Sequence, residues 1–221
     1  MITLSIHFKG TVNMISSPAA AWINSFFAGF DLGITQAIHD IFYPVKGFSS
    51  PFFDLISLMG KGGIFLIILS LILLFIKKTR RYGTAMCFGL AIGALFVNLF
   101  LKVVIARPRP YSDESQIFYQ LWMLMGQHME SDMSFPSGHT NAAFAAMIPL
   151  FVLGRKRWIW LALVFGILMG ISRIYLAVHY PSDVLGGMIT GTIAGLLGVL
   201  IALNLPRKWY RWDLFRKKER A

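Results

Sequence analysis

The chain has 221 residues, 56% of them hydrophobic and only 14% charged, with a mean hydropathy of +0.63. Soluble domains carry about 45–50% apolar and about 25% charged residues, so this composition excludes an ordinary soluble fold and points to a membrane protein of one moderate domain. Lys and Arg number 21 against 10 Asp and Glu, a net charge of +11. That balance raises nucleic acid as a partner, but the apolar excess argues against it. Basic loops facing an anionic leaflet, or an anionic substrate, explain the charge instead. Cys87 is the single cysteine. It excludes an intrachain disulfide and a Cys-rich metal site, and its apolar surroundings make it a small hydrophobe.

In chain order, the opening residues do not read as a cleavable signal peptide, because no charged region precedes a clean apolar core. Residues 19–30 form an apolar stretch that is short for a span, and residues 30–42 read better as an amphipathic interfacial helix. Four long apolar segments follow, at 51–76, 83–106, 158–178 and 184–205. Each supplies the roughly 20 residues that cross about 30 Å of hydrocarbon. A fifth segment, 139–154, is shorter and is accepted because the topology requires it. The expected fold is an all-α polytopic membrane bundle of five spans, with a sixth span or an interfacial helix near the N-terminus left open. Residues 1–50 form an N-terminal segment, 51–205 the membrane core, and 206–221 a basic tail.

Basic residues orient this bundle. Lys77, Lys78, Arg80 and Arg81 follow one span, Arg155, Lys156 and Arg157 separate two others, and seven more follow the last. These 14 of the 21 basic residues share one side if the spans alternate, and that side is expected to be cytoplasmic, with the C-terminus. The opposite, extracytoplasmic side carries the loop 107–138, which holds Asp113, Glu114, Glu130 and Asp132 and suggests a lid or an exposed connector. Gly187, Gly191 and Gly195 recur every four positions in the last span and suit close helix packing.

Ionisable residues are costly within spans, so those at the span ends carry the functional signal. One cluster is Lys102, Arg107, Arg109 and Pro110; a second is Pro136, Ser137, Gly138 and His139; a third is Ser172, Arg173, His179 and Asp183. The expected topology brings all three to the outer face. Lys102, Arg109 and Arg173 supply cations, and arginine suits a bidentate hold on phosphate oxygens. Ser137 and Gly138 open a helix, where backbone N–H groups favour an anion. Asp183 stands four residues after His179 and can orient the imidazole as a nucleophile, while His139 can protonate a leaving oxygen. Taken singly, each has a plainer explanation: cations snorkel, Pro-Ser-Gly caps helices, and histidines anchor at interfaces. Three spaced clusters on one face favour chemistry.

The pattern K-x6-R-P, P-S-G-H and S-R-x5-H-x3-D resembles the type-2 phosphatidic acid phosphatase superfamily, which shares its site with vanadium haloperoxidases. The resemblance covers residues 51–205 and matches every defining position in order. It implies a six-helix membrane bundle in which His179 attacks phosphorus to form a phosphohistidine and Asp183 polarises it. His139 protonates the leaving group and then activates water. Lys102, Arg109, Arg173, Ser137 and Gly138 hold the phosphoryl oxygens, with no metal or other cofactor. Only Arg109 keeps the motif gap from Lys102, so Arg107 reads as a rim residue.

The expected function is therefore a lipid phosphatase of the plasma membrane. Its candidate substrates are undecaprenyl diphosphate, phosphatidylglycerol phosphate and phosphatidic acid, with lipid A phosphates open, which bears on cell-wall or phospholipid metabolism. The bilayer and a lipid phosphate are the expected partners, with no nucleic acid and no obligatory protein. The alternatives are a phosphotransferase using the same phosphohistidine and a non-catalytic lipid-phosphate transporter.

Overall fold

The structure, a computed structural model, describes residues 17–154 and 160–211, which contain helices and no strand. The first helix, α1 (Pro18–Phe42), starts where the Ser17 hydroxyl accepts a hydrogen bond from the Ala20 amide at 3.0 Å and Pro18 takes the first helical position. It is one helix of 25 residues, where the sequence suggests an apolar stretch and a separate amphipathic helix from Phe30. The two join because the polar residues share one stripe. Asp31, Thr35 and His39 recur every four positions and are all buried, while Trp22, Phe26 and Phe30 are exposed. Along its length α1 meets Ile105, Arg107, Ser182 and Tyr175. It thus lies across the end of the bundle where those residues gather.

The expected span at 51–76 begins earlier and is broken. It consists of α2 (Lys46–Gly60) and α3 (Ile64–Phe75), separated by Gly62 and Gly63 at φ of +60° and +67°. Such angles are easy only for glycine, so the break is written into the sequence. The outward side of α3 leaves Ile64, Ile68 and Ile72 more than half exposed, as expected of a lipid-facing surface. Next, α4 (Arg80–Ala94) widens into π-helical turns at Leu95–Leu101 and closes as α5 (Lys102–Ile105). The short α6 (Ile117–Leu124) lies in the following loop. Then come α7 (Gly138–Leu153), α8 (Trp160–Tyr175), α9 (Pro181–Asn204) and the short α10 (Arg207–Arg211). By length and composition, the runs Pro18–Phe75, Arg80–Ser112 and Pro181–Asn204 can cross a membrane, and α7 and α8 are shorter apolar helices.

The core is α9 packed between α7 and α4, with α3 and α8 flanking them. Glycines permit this closeness. A Cβ on Gly191 would stand 2.4 Å from the Asn141 carbonyl oxygen on α7, and one on Gly198 would stand 2.2 Å from that of Ala85 on α4. The close packing expected of the glycine repeat is therefore present. Small and flexible side chains fill the remaining space, among them Ala143, Ala146, Met86 and Met169. At the end away from α1, Trp209 donates to Thr84 at 3.3 Å and Tyr82 to the Leu153 carbonyl at 3.4 Å. Arg80 and Arg81 lie at that end. The basic residues at 155–157 and beyond 211 fall outside the described residues.

Candidate active site

The three sequence clusters meet at the end of the bundle covered by α1. His179 stands in the tight connection between α8 and α9, where Ala177 takes a φ of +52° and the Val178 amide returns to the Arg173 carbonyl at 3.2 Å. That turn folds the chain back, leaving His179 only 2% exposed. Its Nδ1 lies 3.4 Å from Asp183 Oδ2, and its Nε2 lies 2.9 Å from Arg109 Nη1. The carboxylate therefore holds the ring proton on Nδ1 and leaves the Nε2 lone pair facing the cations. Burial first, and then the charges of Arg109, Arg173 and Lys102, push the imidazole well below its ordinary value of 6.5. It is neutral at pH 7.

Asp183 is fully buried at the start of α9. Oδ2 accepts from the Tyr180 amide at 2.9 Å and from the Ser134 hydroxyl at 2.5 Å, and Oδ1 accepts from Arg107 at 2.6 Å. Arg107 is thus no rim residue: it is 1% exposed and stands behind Asp183. Its guanidinium also donates to Asp31 at 2.9 Å, to the Ser182 hydroxyl at 2.7 Å and to Asn24 at 2.7 Å, and lies over the Tyr180 ring at 3.9 Å. The physical reason is the pair of buried carboxylates, Asp31 and Asp183. Neither is tolerable without a cation, and one planar fork of five donors serves both.

Lys102, Arg109 and Arg173 are 6%, 5% and 2% exposed, so three buried cations share one small region. The cations are fixed by their surroundings. Arg109 donates to the Val178 carbonyl at 2.8 Å and the Asp132 carbonyl at 2.9 Å, and Arg173 donates to Ser57. Each is paired with a carboxylate from the loop: Asp132 bridges Lys102 and Arg109, and Glu130 takes Arg173. Burial would raise the Asp132 carboxyl, but Lys102 and Arg109 prevail and hold it below the usual carboxylate range.

A cavity of about 490 Å³ opens onto this region, with Lys102, Arg109, Gly138, His139 and His179 at its polar end. Its other walls are mostly apolar, formed by Ile67 of α3, Leu90, Ala91 and Ala94 of α4, and Ala142 of α7, with Ser70 and Asn141 among them. The glycine break before α3 and Asn98 in the π-helical turns also line it. Such widened turns recur at functional sites. Gly60 brings α2 against His139, because a Cβ there would stand 2.7 Å from the imidazole.

Two of the eight expected site residues are off this wall without being part of the orienting pair. Arg173 faces His139 and Glu130 from an adjoining cavity. The Ser137 hydroxyl caps α7, accepting from the Thr140 amide at 3.4 Å, and is fully buried. Among the described residues, no group of three His, Cys, Asp or Glu is placed to hold a metal ion.

The model of the PAP2 superfamily matches residues 82–207, which contain all three clusters. This chain belongs to the PAP2 superfamily. The lipid A 4′-phosphatase of Bacteroides thetaiotaomicron is 30% identical over 171 residues, covering 74% of this chain and 76% of that protein. The undecaprenyl-diphosphatase BcrC of Bacillus subtilis is 36% identical over 106 residues, 48% of this chain and about half, 51%, of the relative. A crystal structure of a transmembrane PAP2-type phosphatidylglycerolphosphate phosphatase from Bacillus subtilis superposes with a TM-score of 0.64 at 28% identity, covering 86% of this chain and 92% of that one. The chain is a phosphatase of this superfamily.

Sequence reasoning missed Asp31, which directly follows the apolar stretch 19–30, and gave Glu130 and Asp132 no role. The signal for Asp31 was present: an acid within an apolar segment is a functional residue by default. Nothing in the spacing of Glu130 or Asp132 marks them.

Proposed function

We propose that the chain is an integral membrane lipid phosphatase that hydrolyses a phosphate monoester or diphosphate at the extracytoplasmic face of the plasma membrane, through a phosphohistidine on His179. One observation carries this reading: a single cavity joins two of the buried cations, Lys102 and Arg109, and two histidines to an apolar groove between α3 and α4. Ile67, which lines it, is 44% exposed on α3, so the groove reaches the lipid-facing surface. A head group can sit among the cations while its tail stays in the groove and the bilayer. The phosphatases to which the chain is similar act, by their names, on lipid A, undecaprenyl diphosphate and phosphatidylglycerol phosphate, all lipid phosphates.

In this mechanism the substrate phosphoryl group enters between His179 and the cations, and Arg109 exchanges Nε2 for a phosphoryl oxygen. Nε2 attacks phosphorus while the bond to the lipid or phosphate leaving oxygen breaks, and that oxygen takes a proton from His139. Asp183 stabilises the imidazolium that forms. A water then gives its proton to His139 and attacks phosphorus, the P–N bond breaks, and inorganic phosphate leaves. Lys102, Arg109, Arg173 and the Gly138 amide carry the charge of the transition state. The extracytoplasmic placement is supported by the site lying at the end away from Arg80 and Arg81, since basic ends face the cytoplasm.

The test is phosphate release by detergent-purified protein in EDTA, with undecaprenyl diphosphate, phosphatidylglycerol phosphate, phosphatidic acid and a lipid A phosphate as the panel. Release by wild type and none by His179→Ala is the expected result, and the order of rates names the substrate. Folded wild type that releases phosphate from no member overturns the proposal.

A further inference from the structure

The phosphate cradle of the free protein is already occupied. Asp132 and Glu130 together pair with all three cations assigned above to phosphate, and both carboxylates line the cavity. The two sides of these pairs differ. The cation side chains are nearly inaccessible, at 7%, 5% and 2%, whereas the carboxylate side chains are 48% and 27% exposed. Lys102 and Arg173 stand on α5 and α8, and Arg109, in the chain just after α5, is held by the Val178 and Asp132 carbonyls. The carboxylates stand on a loop outside any helix, where they can turn into water. Main-chain motion is not required. Tyr111 ties the Glu130 backbone on both sides, at 3.1 and 3.2 Å, and Arg109 ties the Asp132 carbonyl. Side-chain rotation alone frees the cradle, and it is fast compared with turnover.

Charge makes the exchange nearly neutral. Three buried cations without partners are expensive, so an empty cradle needs a counter-anion. A phosphate monoester carries roughly 1.5 to 2 negative charges at pH 7, close to the two charges of the carboxylates. We propose that Glu130 and Asp132 are an internal counter-anion that substrate phosphate displaces and that returns to expel inorganic phosphate. This rests on the cradle assigned under the proposed function. The carboxylates weaken substrate and product alike. They therefore raise KM and the phosphate inhibition constant together, and they speed the last step without touching the reacting atoms.

The experiment titrates inorganic phosphate into full-length, detergent-purified protein by calorimetry and measures KM and kcat with the best substrate of the panel. E130Q/D132N is expected to bind phosphate about tenfold more tightly and to lower KM by a similar factor, with kcat reduced because phosphate leaves more slowly. Asp132→Asn alone, whose side chain is half in water, gives a smaller shift of the same sign and covers failure of the double variant to fold. Lys102→Gln separates the two readings. If it weakens phosphate binding while E130Q/D132N leaves binding unchanged or weaker, the counter-anion is wrong and the cradle stands. If Lys102→Gln has no effect on phosphate, the cradle fails and the counter-anion with it.

Discussion

Arg107 and Asp31, 76 residues apart, are joined at 2.9 Å by a pair in which both side chains are almost wholly buried. The other arm of the same guanidinium reaches Asp183 at 2.6 Å, so α1 is tied to the carboxylate beside His179. The Ser182 amide and hydroxyl both donate to Asp31 at 2.7 Å, fixing the first turn of α9 as well. On the proposed mechanism Arg107 and Asp31 act through Asp183 rather than on substrate. Asp31→Asn is expected to lower kcat about tenfold with KM nearly unchanged, the size typical of lost orienting partners. Steady-state kinetics on the wild-type substrate check it. A rise in KM at constant kcat would place Asp31 at the substrate instead.

His179→Ala is expected to lower turnover by about 10⁴-fold or more, because on the proposed mechanism the attacking atom is gone. Asp183→Asn keeps the shape but loses the anion that holds the Nδ1 proton, and is expected to cost about 100-fold in kcat. Single-turnover assays quenched in base, where a P–N bond survives, check both. Intermediate that still accumulates on His179→Ala would move the nucleophile elsewhere.

The pH dependence follows from the burial of His179 among cations. A nucleophilic imidazole must be neutral, and this one resists protonation, so its acid form gathers only well below the ordinary 6.5. As pH falls through 6.5, kcat/KM is expected to hold, and to drop only as pH passes through the lowered value. In Lys102→Gln one of the repelling charges is lost, and the acid limb is expected to move up toward 6.5. Profiles of kcat/KM from pH 4 to 8 test the direction.

Helix contacts set the stability. Gly191→Val would press side-chain atoms into the Asn141 carbonyl, with a Cβ only 2.4 Å away, and is expected to destabilise by about 1–3 kcal/mol. Gly29→Ala is the control, because nothing lies within 4 Å of its Cβ and alanine favours the helix by up to about 1 kcal/mol. Thermal unfolding in detergent should show a lower midpoint for the first and none for the second.

What the sequence made legible was whatever repeats or matches locally. Apolar runs gave the helical segments, and the glycine spacing gave the face where α9 meets α7. Motif spacing gave Lys102, Arg109, His139, His179 and Asp183, which the fold does bring to one end. The unread part is long-range pairing. Arg107 looked peripheral because its partners, Asp31 and Asp183, lie on helices far from it in sequence, and no local pattern shows which carboxylates a buried guanidinium will find. For the same reason the loop acids read only as part of a lid or an exposed connector. The break before α3 was legible in principle, since Gly60, Gly62 and Gly63 crowd one turn, but an apolar window averages over it.

On the proposed function, the groove between α3 and α4 alters how encounters are counted. A lipid that slides in sideways never leaves its own phase, so collisions occur in two dimensions and follow the mole fraction of substrate in the membrane rather than its concentration in the tube. Diluting the substrate with inert lipid at fixed total amount should slow the reaction, whereas adding buffer should leave it alone. The two products then part company: the lipid goes back to the bilayer through the side opening, and phosphate departs into water. Because they are sorted into different phases as they form, recombination is suppressed by geometry as well as by the chemistry of the bond.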